Sequence, residues 1–268
     1  MKTFFVIASL TLFLAACGQS DEPDAVAAPE VAEVAAPEAS ETPMQSSAAS
    51  GELLVDYIWN NTADDMTEEQ MAGIIDGWNA RIDAGGYNML GANVLMPQFE
   101  TDDYDLIWVV MWPSSEAREA GWADWNANQV DDWTAELAGA MSYEPENVYT
   151  FKPTDGHDGM ADIAVGGTFH PRFDFCSFNE GQDAASLAAF RAEYDAWLVE
   201  GESNNYGYYL MEPQFDLADA DFVWLDLFGD EAALEAGTAS WTGSALEASW
   251  EAMATCENFA FLATAIRR

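Results

Sequence analysis

Lysine is almost missing from this chain of 268 residues: Lys2 and Lys152 are the only two, and the 8 basic residues in all face 48 aspartates and glutamates, a formal charge of -40. Such a surface repels a phosphate backbone, which excludes nucleic acid as a partner, and anionic lipid headgroups are excluded on the same ground. Histidine is as scarce, with His157 in a stretch rich in Gly and Asp and His170 just before Pro171. Neither place suits an axial haem ligand or a metal ligand, no Gly-x-Ser-x-Gly string occurs, and no catalytic triad can be assembled, so no metal and no cofactor is expected. Asp155, Asp158 and Asp162 lack the spacing of a calcium loop. The acidity itself has two readings, a cationic partner or a soluble surface suited to a saline habitat, and the diffuse spread of the carboxylates favours the second.

What is present at the start is an export pattern. Lys2 precedes an apolar run from Phe4 to Ala16, too short to span a bilayer, which ends in Leu14, Ala15, Ala16 and Cys17. The ending resembles the lipobox of bacterial lipoproteins. That resemblance implies a signal peptide over residues 1–16, a lipid on Cys17, and attachment to the membrane through that N-terminal anchor. Gly18 in place of Asp after the cysteine implies the outer membrane, facing the periplasm of the bacterial cell envelope. Residues 17–52 are nearly all Ala, Glu, Pro, Ser, Asp, Val and Thr, without an aromatic or a basic side chain, and such a segment reads as a disordered tether.

Beyond the tether the chain repeats itself at a spacing of 116 residues. Pro97, Gln98 and Phe99 return as Pro213, Gln214 and Phe215; Asp105, Trp108 and Trp125 return as Asp221, Trp224 and Trp241; Glu119, Ala120 and Gly121 return as Glu235, Ala236 and Gly237. An ungapped register of this kind means two copies of one unit, placed at residues 53–152 and 169–268 with a linker over 153–168. In the first copy a strand from Leu53 precedes a helix opened by a Thr67/Gln70 capping box and stopped at Gly85 and Gly86. A hairpin follows, then a helix capped by Ser114 or Ser115 running toward Met141, then a strand over 148–152. The second copy gives the same order, with Asp230 capping its second helix through Met253. Gly121 and Gly237, inside predicted helices, imply close approach of helix to sheet.

The order βαββαβ is that of the ferredoxin-like unit, α+β with both helices on one face of an antiparallel sheet. Both sheet faces are apolar: Ile107, Val109 and Met111 alternate with Leu106, Trp108, Val110 and Trp112, and a second sheet must cover the face that the helices leave open. The Trp108 and Trp224 faces are expected to be the ones between the sheets. On this order and duplication the chain resembles the dimeric α/β barrel superfamily, here as two tandem ferredoxin-like units packed sheet to sheet, a pseudo-twofold intramolecular dimer in a monomeric chain. The superfamily includes cofactor-independent monooxygenases, haem-dependent enzymes, small-molecule degradation enzymes and proteins without known activity. In this fold the first and last strands of a unit are antiparallel neighbours, which implies a disulfide between Cys176 and Cys256, both in the second copy.

No catalytic signature occurs, and the candidates come from the repeat. Asp226 replaces Val110 of the first copy on the face of Trp224, where burial would make it a general base or a ligand-orienting group; Asp226→Val, copying the first copy, is then expected to stabilise the protein. Glu212 replaces Met96. Gln98 and Gln214 lie near strand ends, where the amide either bonds turn backbone, the reading that strand prolines favour, or reaches a ligand, and Trp108 and Trp224 are placed to clamp it. The first reading is an exported, non-enzymatic module holding a small aromatic or apolar ligand between the sheets. The alternative is a cofactor-independent oxygenase or degradation-type enzyme acting on such a molecule.

Overall fold

Which of two apolar faces turns inward decides the architecture of this chain. The computed structural model describes residues 53–200 and 205–268; the expected signal peptide, Cys17 and the tether lie outside the described residues. The first half runs β1 (Leu54–Thr62), α1 (Glu68–Gly85), β2 (Gly91–Pro97), β3 (Leu106–Trp112), α2 (Ser115–Asn128), α3 (Val130–Leu137), a short β4 (Met141–Ser142) and β5 (Val148–His157). The second half runs β6 (Thr168–Phe178), α4 (Ala184–Glu200), β7 (Tyr206–Pro213), β8 (Phe222–Phe228), α5 (Glu231–Trp241), α6 (Ala245–Met253) and β9 (Ala254–Arg267).

Local chemistry sets most of these boundaries. The Thr67 hydroxyl accepts from the Gln70 N–H and the Gln70 side chain returns to the Thr67 N–H, while Gly86 at φ 65° ends α1. Ser114 and Asp230 cap α2 and α5. The single second helix expected in each half is broken. Gln129 leaves helical geometry between α2 and α3, and Gly243 at φ 77° turns the chain so that Ser244 can cap α6. The expected linker is shorter as well, because β5 continues to His157 against β7. Gly156 sits where an added Cβ would lie 2.1 Å from the Tyr208 carbonyl oxygen, so this glycine marks a close strand crossing and not a turn. Both histidines therefore fall on strands, His157 at the end of β5 and His170 in β6.

All strand pairings are antiparallel. The order is β2-β3-β1-β5 in the first half and β9-β6-β8-β7 in the second, and the halves join through β2–β9 and β5–β7. The sheet thus closes into a barrel whose main strands have no free edge. Packed faces were expected between the halves; the structure adds two hydrogen-bonded seams. The residues inside the barrel are the other alternating set from the one expected. Ile107 and Val109 of β3 join Tyr57, Phe173, Val223 and Leu225 in one buried cluster within the lumen. Trp108 and Trp224 instead lie under the helices, each in its own cluster. The tryptophans fit the wider space between sheet and helices, and branched aliphatic chains with edge-packed rings such as Tyr57 on Phe173, 5.3 Å apart, suit the lumen.

The repeated residues now acquire structural roles. The Asp105 carboxylate accepts from the Thr62 N–H and that of Asp221 from the Phe178 N–H, both at 2.7 Å, so each aspartate ties off the first strand of its half. The Pro-Gln-Phe strings fasten the seams. The Gln98 N–H donates to the Ala260 carbonyl and the Gln214 N–H to the Thr150 carbonyl, each across to the opposite half. Phe99 packs on Phe259 and Phe261, and Phe215 on Tyr149 and Phe151, with ring centroids 5.2–5.4 Å apart. Gly121 and Gly237 lie directly over Trp112 and Phe228, where a Cβ would come within 2.5 and 2.7 Å of the ring. Cys176 and Cys256 are direct partners on β6 and β9 and form the disulfide, closing a loop that contributes about 4 kcal/mol.

Candidate functional site

Each half buries acid between its sheet and its helices, one aspartate in the first and two in the second, on different strands. In β1–β3 the pair at this level is Asp56 opposite Val110; in β6–β8 it is Arg172 opposite Asp226. Asp56 is wholly buried and saturated: Trp112 Nε1, Trp122 Nε1, Arg118 Nε and the Thr150 hydroxyl all donate to its two oxygens at 2.7–3.0 Å. Arg118 reaches it from α2, and the site is a closed structural node.

The second half is built from the strand outward. Asp226 on β8 accepts from the Tyr206 hydroxyl at 2.5 Å and from Trp224 Nε1 at 2.8 Å through Oδ1, and it pairs with Arg172 of β6 through Oδ2. Tyr194 of α4 continues the chain by donating to the Tyr206 hydroxyl oxygen. Burial, with the Asp226 charge beside it, raises the Tyr206 phenol well above its ordinary range and keeps it a donor. Asp174, two residues along β6 from Arg172, is also buried, 4% exposed. Among the described residues it keeps one hydrogen bond, from Asn258 to Oδ1, while Oδ2 stands 3.8 Å from Arg172 Nε, beyond hydrogen-bonding distance. That Arg172 Nε is buried without a partner. Burial pushes the Asp174 carboxyl up to about 6; Arg172 pulls it down, and the Asp226 charge adds to the rise.

These groups form the floor of a cavity of about 910 Å³ beneath α4, α5 and α6, walled by Phe190, Trp197, Trp241 and Trp250. A small-molecule site has this size and this mixture of an apolar wall with a few converging polar groups. The corresponding space in the first half measures about 60 Å³, because Trp78, Trp122, Trp125 and Trp133 fill it. One indole there lost its acceptor: Trp108 Nε1 is buried and unpaired, since Val110 stands where Asp226 serves Trp224 in the second half. One half is packed and the other open.

Of the residues singled out from sequence, Asp226 and Trp224 meet in the large cavity, on the helix side of the sheet and not in the barrel lumen. Trp108 lies in the filled half, so the two tryptophans do not clamp one ligand. Gln98, Glu212 and Gln214 are exposed and away from the cavity; the glutamine amides donate to the carbonyls of Met96, Pro97 and Glu212 in their own turns. Asp226 has its oxygens engaged by three donors, which makes it a positioning group. Asp174, Arg172, Tyr206 and Asn258 went unread, although an arginine amid the β6 strand of a chain this poor in basic residues was a usable signal. Neither histidine lines the cavity, and among the described residues no group of three or more His, Cys, Asp and Glu is arranged to hold a metal ion.

A pH signature follows from Asp174. Folding raises its carboxyl above the ordinary 3.8, so the native state holds this proton more tightly than the unfolded chain does, and ionisation costs stability as pH rises through about 6. Asp174→Asn should therefore melt higher than the parent near pH 7, by about 2 kcal/mol, with the gap closing near pH 4 and below. Thermal melts across that range measure it; a constant gap would remove Asp174 as a desolvated, titrating acid.

No protein-family model and no curated protein matches the sequence. Among solved structures, an anthrone oxidase-like protein aligns over 81% of this chain and 92% of its own, at 14% identity and a TM-score of 0.50. A protein from Fusobacterium nucleatum provisionally named a monooxygenase aligns over 80% and 93%, at 10% identity and a TM-score of 0.54. At these identities the likeness concerns the fold alone: the chain is a mixed α+β protein whose antiparallel sheet closes into a barrel like that of dimeric α/β barrel proteins.

Proposed function

We propose that the chain is a tandem of two ferredoxin-like βαββαβ units, a pseudo-twofold dimeric α/β barrel within one monomeric chain, and that its second unit is a small-molecule enzyme. The strand orders β2-β3-β1-β5 and β7-β8-β6-β9, identical unit by unit, support the tandem. The observation that carries the enzyme is the cavity of about 910 Å³ floored by Asp174, a carboxyl that burial pushes up to about 6. An acid so tuned is largely ionised at neutral pH yet basic enough to accept a proton from a bound phenol or activated C–H. Asn258 donates to it and Arg172 stands 3.8 Å away, and the tryptophan walls take an aromatic or apolar substrate. The names of the structural neighbours fit an enzyme better than a purely structural module.

The test is incubation of the full chain in air with a panel of neutral and cationic aromatic compounds, following tryptophan fluorescence for binding and mass spectrometry for conversion. Asp174→Asn should lower turnover by about 10²-fold or more, the usual contribution of a general base, while leaving binding within a few-fold. Binding without conversion of any compound would return the pocket to a carrier role.

We also propose that the chain is exported and lipid-anchored at Cys17 in the cell envelope, on the strength of its N-terminal pattern. Cys17→Ala should move the protein from the membrane fraction to the soluble one; unchanged fractionation would dismiss the anchor.

A further inference from the structure

The charges around the cavity specify its ligand further than its volume does. Five charged side chains line it: Arg172 against Asp174, Asp226, Glu247 and Glu251. The lone cation is already committed, since Arg172 pairs with Asp226 and lies within 3.8 Å of Asp174. An anionic ligand would thus meet a guanidinium whose charge is already outweighed by Asp226 and Asp174, and two further carboxylates beyond it. Glu247 uses one oxygen to accept from the Gly243 N–H at the start of α6, which fixes its position on the wall without neutralising it, and Glu251 follows one turn later on the same helix. Trp197, Trp224, Trp241 and Trp250 share this lining with the acids, and an indole face attracts a cation through its quadrupole. The small pocket of the first half has tryptophans too, but no charged residue lines it. Asp131 holds the place of Glu247 in that half but does not line its pocket.

Resting on the reading of this cavity as a small-molecule site, we infer that its ligand is an organic cation, an amine or quaternary ammonium carried on an aromatic or aliphatic body. The body occupies the tryptophan walls and the charge lies toward Glu247, Glu251 and the Asp174 floor. The acidic surface of the whole chain raises the local concentration of such molecules and lowers that of anions.

Three benzyl probes separate the possibilities: benzyltrimethylammonium, its isostere neopentylbenzene with carbon in place of the nitrogen, and the anion phenylacetate. Each is titrated into the full chain and followed by tryptophan fluorescence. The cation should bind about tenfold more tightly than either other probe, and that preference should fall about fivefold in a Glu247→Gln, Glu251→Gln variant. Equal or tighter binding of neopentylbenzene or phenylacetate, or a preference untouched by the double substitution, overturns the inference and leaves the pocket standing. No fluorescence response to any of the three overturns the pocket reading, and this inference with it.

Discussion

Asp226→Val should lower stability by about 3–5 kcal/mol, the usual cost of removing one partner from a buried ion pair. In a chain of this size that is a fall of roughly 6–20 °C in melting temperature. The repeat alone argues the reverse, because Val110 occupies the matching place in the first half. There, however, the facing residue is Asp56, whereas Asp226 faces Arg172. Valine at 226 would strand the Arg172 guanidinium, the Tyr206 hydroxyl and the Trp224 indole N–H together, each of them buried or partly buried and donating to the lost carboxylate. Removing the charge on both sides, as Arg172→Met with Asp226→Val, should recover a large part of the loss, since an apolar pair leaves fewer orphaned groups. Thermal melts of the single and double variants decide it. A single variant that melts with the parent would mean that the network is wetted and holds nothing in place.

A second large effect is expected on cutting the chain. Residues 53–152 expressed alone should aggregate or pair with themselves. Isolation would uncover Tyr57, Leu95, Ile107, Val109 and Phe151, all buried in the lumen, each worth about 1.5–3 kcal/mol on burial. It would also open the β2 and β5 edges that the seams satisfy. The reason differs from the one the sequence suggests: Trp108 would stay covered by its own helices, and the lumen face is the exposed one. Light scattering on the purified fragment measures this, and a soluble, folded monomer would show that each half is self-sufficient.

The element order, the Thr67 capping box and the tight approach at Gly121 and Gly237 were legible through local chemistry or the repeat, and the Cys176–Cys256 pair through the resemblance to a known fold. The orientation of the sheet was not legible. Inward and outward faces are told apart when one of them is polar, and here Ile107 and Trp108 are equally apolar neighbours with a partner waiting on each side. The Pro-Gln-Phe strings drew attention as ligand contacts because their real partners, Ala260 and Thr150, lie in the other half and leave no local trace. The site was half legible. Asp226 stood out as a departure from the repeat. Asp174 became significant only through what surrounds it, since burial and the neighbouring Asp226 perturb its carboxyl and neither is written at position 174.

The β2–β9 seam joins Met96 to Leu262, so the last ladder of the barrel needs chain segments from nearly opposite ends of the folded region. Contacts of such long range are slow to form, and a chain that has built its halves but not yet met itself presents four naked sheet edges, two on each half. At high concentration those edges can be met by another molecule, the first half of one chain closing with the second half of its neighbour and the reverse, with every native hydrogen bond retained. Dilution during refolding therefore governs whether the barrel closes within one chain or by exchange between two.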